Sequence, residues 1–290
     1  MITKTLYKDR PAVLVSDSHT EAVFLPEDGA KLVSLKLNGQ EFLAQNPGPE
    51  YKRLGLDTSY TESECSAFDD MFPTIDPCAI GDFTYPDHGE VCRVPFSCCI
   101  ENDSVAFSCT VKSVNAIFRK TVYFDNDALA IKYNIKNNNY FELPYIWAGH
   151  IMLLGKEGAY IRTPYSKADE TTPCFGAVPP AGLSHILPPK GACKEYKYYY
   201  NESRLPMECT VCYPQSDYEI NFAFLGNAVK YLGIWMNPGD LNGMYNLAIE
   251  PCTAPFDSPL NSKKNGKGST LSPNEETEFI LKISGGKNGE

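Results

Sequence analysis

Between residues 97 and 154 the apolar stretches are short, and Asn and Asp separate several of them. "SVAFSCTVKS", "AIFRKTVYFDND", "ALAIKYNIKNNN" and "LPYIWAGHIMLLG" follow one another in this way. Side chains of an extended chain point alternately to two faces, so short alternating runs closed by turn residues describe strands. The same punctuation marks the first fifty residues, in "PAVLVSD", "EAVFLP", "AKLVSLKLNG" and "QEFLAQ". There Asn38-Gly39 supplies a two-residue hairpin turn. It returns near the end in "KEYKYYYN", "MECTVCYP", "YEINFAFLG", "YLGIWMNPG", "MYNLAIEP" and "TEFILKISG". No long stretch carries a helical period with caps. The chain is therefore expected to be all-β, a large β-sandwich with little helix. Neither a low-complexity linker nor a fixed repeat interrupts it, so one domain over residues 1–290 is expected. Residues 45–90 and 155–195 are loop-rich, and "LNSKKNGKGSTLSPNEE" reads as a polar surface loop.

Charge narrows the function classes. The chain carries a formal net charge of −10 with a pI near 5.0. Nucleic acids and anionic membranes both need clustered Lys and Arg, so neither is an expected partner. No apolar run is long enough to span a bilayer, and the N-terminal "MITKTLYKDRPAVLV" has no continuous apolar core, so a cytoplasmic protein is expected. The eleven cysteines are odd in number, which rules out complete internal pairing, and they are expected to be reduced and packed as small hydrophobes. Cys209 and Cys212 have redox or zinc spacing, but no second pair or nearby His completes a zinc site.

Candidate chemistry gathers on two histidines and one glutamate. His19 and His185 lie in polar or loop segments. His150 lies in "LPYIWAGHIMLLG", apolar on both faces and so a central buried strand. A buried imidazole there must have its nitrogens hydrogen-bonded, and the small Ala148 and Gly149 leave room for a ligand. His88 lies in "YPDHGEVCR", where Asp87, Glu90 and Arg93 crowd around a glycine, a set suited to a polyhydroxylated ligand. "AFDDMFPTIDP" adds Asp69, Asp70 and Asp76, without the spacing of a calcium loop, so no metal is expected. Glu250 ends the strand "MYNLAIEP" on the face opposite Leu247 and Ile249. A buried base and a buried acid on strands of one sandwich make a general acid–base pair. Trp147, Trp235, Tyr145 and Tyr165 are candidates to stack on an apolar sugar face, and Arg93 and Arg53 are candidate phosphate clamps.

Taken in order, these segments resemble the aldose 1-epimerases, the galactose mutarotase-like proteins. "FLPEDGAKLVSLKLNGQEFL" is similar to the family's first hairpins, and "DDMFPTIDP" followed by "PDHGEVCRVPF" to its His-Gly segment. "LPYIWAGH" resembles the strand bearing its general acid. "LGIWMNPGDLNGMYNLAIEPCTAPFDSPL" resembles its closing Glu-Pro segment, and "LSPNEETEFILKISG" its last strand. The resemblance spans nearly the whole chain. It departs where many mutarotases carry Gly-Arg-x-x-Asn-Arg, since "DDMFPTIDP" stands there instead. It implies a supersandwich fold, with the general acid on His150, the general base on Glu250 and a sugar-binding His88. Asp87, Arg93, Asp70 and Trp147 are the further expected substrate contacts. It also implies an isomerase without cofactor or metal, acting on a monosaccharide or sugar phosphate as a monomer or homodimer; the alternative is a carbohydrate-binding protein that kept the sandwich and lost turnover.

Overall fold

Two antiparallel sheets stack face to face. The computed structural model describes residues 1–55, 58–166, 169–179 and 182–287. The larger sheet has eleven strands. It starts with the N-terminal meander, Ile2–Tyr7, Arg10–Ser16, Thr20–Leu25 and Lys31–Leu37. It continues through Phe68–Met71, Ala148–Leu154, Tyr245–Cys252, Tyr231–Pro238 and Tyr196–Tyr200 to Thr171–Gly176, and the eleventh strand, Gln40–Glu41, pairs with Lys31–Leu37 off this path. The smaller sheet has eight strands, with Glu276–Lys287 between Tyr218–Leu225 and Ala128–Asn137. Among the described residues the only α-helix is Pro259–Lys264. The Ser258 hydroxyl caps it by accepting from the Asn261 N–H, and Pro259 opens it. This helix and the short strand Ser269–Leu271 occupy part of the segment that the sequence presents as loop. No helix among the described residues is long and apolar enough to cross a membrane.

The hairpin turn at Asn38-Gly39 forms as its residues demand. Lys36 pairs with Glu41 and Leu37 with Gln40, and Asn38 and Gly39 both take positive φ, 49° and 76°. Between the sheets lies the principal core, in which Phe24, Leu35, Phe68, Ile151 and Ile249 meet Phe107, Phe118, Ile131 and Leu281. The middle strands of the larger sheet are buried on their outer face too. There Met71, Ala148, Met152, Tyr199, Trp235, Ala248 and Cys252 are covered by Leu54, Tyr60, Cys65, Ile75 and Phe256 from the loops. Consequently Tyr231–Pro238 is buried at every position, and Ala148–Leu154 at all but the last. A strand covered on both faces reads as a continuous apolar run, which is the pattern around His150. All eleven cysteines are unpaired; Cys209 and Cys212 are packed as expected, whereas Cys98, Cys99 and Cys174 are exposed.

Candidate active site

The outer, loop-covered face of the larger sheet holds the site, and strand parity decides which residues reach it. Even-numbered residues of Ala148–Leu154 and Tyr245–Cys252 point outward, so His150 and Glu250 share a face with Ala148, Met152, Ala248 and Cys252. The pairs Ala148↔Cys252 and Ile151↔Ile249 set the register and bring the two opposite each other. His150 Nε2 lies 3.9 Å from Glu250 Oε1. Both side chains are buried, and Glu250 Oε1 has no hydrogen-bond partner among the described residues. On its other side Glu250 pairs with Gly233. A Cβ at Gly233 would stand 2.7 Å from the Tyr199 ring, so only glycine lets that ring pass beside Glu250.

The second carboxylate oxygen of Glu250 is held firmly. Lys197 Nζ lies 2.5 Å from Glu250 Oε2 and 2.7 Å from Asp257 Oδ1. Tyr199 donates its hydroxyl to Asp257 Oδ1 at 2.6 Å, and the Cys174 thiol donates to Asp257 Oδ2 at 2.8 Å. Burial pushes the Glu250 carboxyl above its ordinary value; Lys197 opposes that shift and the charge of Asp257 adds to it. For Asp257 burial also pushes upward, but Lys197 and the donors Cys174 and Tyr199 outweigh it and hold the group below the usual range.

His150 is held well below its ordinary pKa, by burial first and then by the positive groups His88, Lys197 and Lys31. The stability consequence has a definite sign. The unfolded chain takes up this proton near pH 6.5 and the folded protein does not, so stability is full above that pH and is lost as the pH falls towards the folded value. Replacing His150 with Gln should therefore flatten the loss of stability on acidification, measured by urea unfolding at pH 7.5 and pH 5. An unchanged slope would show that His150 is not a source of the acid sensitivity.

A loop supplies the third wall. His88 and Gly89 both have positive φ, 56° and 73°, and a Cβ at Gly89 would meet the Phe72 carbonyl oxygen at 2.3 Å. The His-Gly pair is thus a backbone requirement that turns the imidazole inward. The His88 ring stacks on Tyr60, with centroids 4.1 Å apart and planes 6° from parallel, and its Nδ1 lies 2.8 Å from Asp87 Oδ1. The His88 and His150 centroids are 5.9 Å apart. His88, His150, Lys197, Trp235, Glu250 and Asp257 line a cavity of about 240 Å³.

No protein-family model matches the sequence, and no curated protein sequence does. Solved structures do match. A galactose mutarotase-like protein from Clostridium acetobutylicum superposes with a TM-score of 0.67 at 16% identity, covering 99% of this chain and 98% of that one. One from Lactobacillus casei gives 0.67 at 17% identity, covering 95% and 100%. A galactose mutarotase related enzyme from Lactobacillus acidophilus gives 0.69 at 15% identity, covering 95% and 97%. The chain has the galactose mutarotase-like fold.

Within that galactose mutarotase-like frame the residues singled out from sequence separate into two groups. His150, Glu250 and His88 converge on the cavity, with Asp87 behind His88. Asp70 and Trp147 do not reach it. Asp70 is one residue out of phase: its neighbour Asp69 faces outward, while Asp70 points between the sheets. There it accepts from Lys120 Nζ at 2.7 Å and from Trp147 Nε1 at 3.1 Å. Trp147 belongs to the inter-sheet core with Tyr133 and Phe279, as do Tyr145 and Tyr165; the tryptophan on the cavity wall is Trp235. Gly149 likewise serves the core, since a Cβ there would press on Trp147 and Phe68. Arg93 is buried, and its guanidinium donates to the carbonyls of Gly55, Thr58, Asp87 and Gly89, so it braces the loop rather than clamping a phosphate. Asp69, Asp70 and Asp76 do not converge, and no group of three potential metal-ligating side chains forms among the described residues.

Lys197, Asp257 and Tyr60 are among the wall residues that escaped the sequence reading. Lys197 carried a signal, a cation in the middle of the aromatic run "YKYYY", where a buried strand needs a partner for the charge. Asp257, in "PFDSPL", could have been suggested as that partner. Tyr60 carried none, because it sits in a loop on a short 3₁₀ turn and its role depends on long-range packing.

Proposed function

We propose that the protein is an aldose 1-epimerase, an isomerase that interconverts the α and β anomers of a monosaccharide by general acid–base ring opening and closure. The observation that carries this is the His150–Glu250 pair, facing each other across 3.9 Å at the cavity wall, with Glu250 Oε1 lacking a hydrogen-bond partner among the described residues. Glu250 removes the proton of the anomeric hydroxyl, and His150, acting through the minor protonated form that its lowered pKa leaves, delivers a proton to the ring oxygen as the C1–O5 bond breaks. Rotation about C1–C2 in the open-chain aldehyde presents the other face of the carbonyl. The two transfers then run backwards and close the other anomer. His88 and Trp235 are suited to hold the sugar, by a hydroxyl hydrogen bond and an apolar ring face. The names of the similar structures, galactose mutarotase-like and galactose mutarotase related, agree with this activity.

Charge favours a neutral sugar over a phosphate. The wall carries Asp76, Glu195, Glu250 and Asp257, and its lysine, Lys197, is already paired with two carboxylates. A phosphate entering here would meet negative charge without a free cationic clamp among the described residues. Polarimetry or NMR of freshly dissolved single anomers is the test. Wild-type protein should speed exchange of one or more neutral aldoses and be far slower on their 6-phosphates. Sugar binding without exchange would make it a carbohydrate-binding protein built on an enzyme's fold.

A further inference from the structure

Behind His150 runs a buried chain of groups that touches no other part of the acid–base pair. Lys31 Nζ donates to Asp69 Oδ2 at 2.7 Å, and the Tyr60 hydroxyl donates to the same oxygen at 2.8 Å. The Tyr60 oxygen lies 3.3 Å from His150 Nδ1. All of these side chains are buried. We propose that Lys31, Asp69 and Tyr60 are positioning residues that fix the tautomer of His150, keeping a proton on Nδ1 and leaving Nε2 as the atom that exchanges protons with the sugar.

The assignment follows from counting protons. A phenol has one proton to give, and here it points at the Asp69 oxygen that also accepts from Lys31. Burial and Asp69 push the Tyr60 phenol well above its ordinary pKa, so that proton stays in place. Towards His150 the phenol oxygen can only accept. Nδ1 must then carry hydrogen, and in the neutral ring Nε2 is bare. Nε2 is also the nitrogen that faces Glu250 Oε1. Tyr60 cannot easily swing away, because His88 stacks on its ring and its backbone carbonyl accepts from the Ser63 hydroxyl.

The consequence for turnover rests on the epimerase reading above. In the imidazolium each ring nitrogen carries one proton. As the sugar ring opens, the Nε2 proton passes to the ring oxygen and the anomeric proton passes to Glu250. The imidazole left behind is the Nδ1–H tautomer that Tyr60 already holds, so no proton shift within the ring is needed before closure returns both protons. The charged and titratable groups around His150 are His88 on the loop, Lys31 and Asp69 behind it, and Glu250 and Lys197 on the facing strands.

Nitrogen NMR of histidine-labelled protein tests the tautomer without reference to catalysis. At a pH where His150 is neutral, the wild type should show a protonated Nδ1 and a pyridine-type Nε2. A proton on Nε2 in the neutral ring overturns the proposal, whether or not the protein turns out to exchange anomers. Tyr60→Phe should turn the single tautomer into a mixture and lower kcat by about 10- to 100-fold, on the scale seen when groups that orient a histidine are removed, with KM little changed. The paired change Lys31→Met with Asp69→Asn removes both buried charges together and should have the same spectroscopic signature. Unaltered His150 spectra in a folded Tyr60→Phe protein would also overturn it. Loss of exchange in the wild type, with the tautomer as described, would remove the epimerase reading and leave the relay standing.

Discussion

With Glu250 replaced by glutamine, anomer exchange should fall by about 10²–10⁴-fold, the usual contribution of a positioned acid or base. The exchange keeps the side chain's shape and removes its ability to take a proton. His150→Ala should cost a similar factor by removing the acid. On the proposed mechanism the two act in one step, so the double variant should be little slower than the poorer single variant. The geometry gives the reason to expect joint failure: Oε1 and Nε2 face each other from opposed strands, and on the proposed mechanism a sugar bridging them needs both ends of the proton transfer. Polarimetry on all four proteins gives the answer. Wild-type rates in Glu250→Gln would leave Glu250 as a buried strand residue neutralised by Lys197. Full additivity in the double variant would mean that the two residues act in separate steps.

The strand rhythm carried most of the fold. Alternation and Asn/Asp/Gly punctuation are local, and local geometry obeyed them, as at Asn38-Gly39 where both residues take the positive φ of a tight hairpin. His150 and Glu250 were legible because a histidine in an apolar run and a carboxylate on the off-face of a strand both conflict with burial. The choice between Asp69 and Asp70 was not legible. Parity separates adjacent residues onto two faces, but the sequence does not say which face has a second layer, since in this sheet both are covered. For the same reason Trp147 looked like a sugar platform and is core, whereas Trp235 lies on the wall. Arg93 next to His88 suggested a ligand contact, yet its bonds go to backbone carbonyls more than thirty residues away as well as to its own loop. Such pairings come from chain closure and leave no periodic trace.

Lys197→Met should be the most disruptive single change in the site. The ammonium lies within 2.7 Å of both Glu250 and Asp257, and all three side chains are buried. Removing one partner of a buried ion pair typically costs about 3–5 kcal/mol, because the remaining charge has lost its compensation. Here two carboxylates are left, and the Cys174 and Tyr199 donors support only Asp257. Glu250 must then be driven further upward, since Lys197 is the main influence opposing its burial. A base that has to be ionised would be active only at higher pH, so the low-pH limb of the rate profile should move to higher pH. In the wild type Lys197 is itself held above its ordinary value, because its carboxylates outweigh its burial; its stabilisation is complete below that ordinary value and is lost only as the pH rises through the folded one. The proteins to compare are Lys197→Met and Lys197→Met with Glu250→Gln. The double variant carries one buried charge fewer and should unfold at higher urea than the single variant, although both should be slow at neutral pH. If Lys197→Met matches the wild type in urea midpoint and rate profile, the Lys197–Glu250–Asp257 contacts do not control the ionisation of the base.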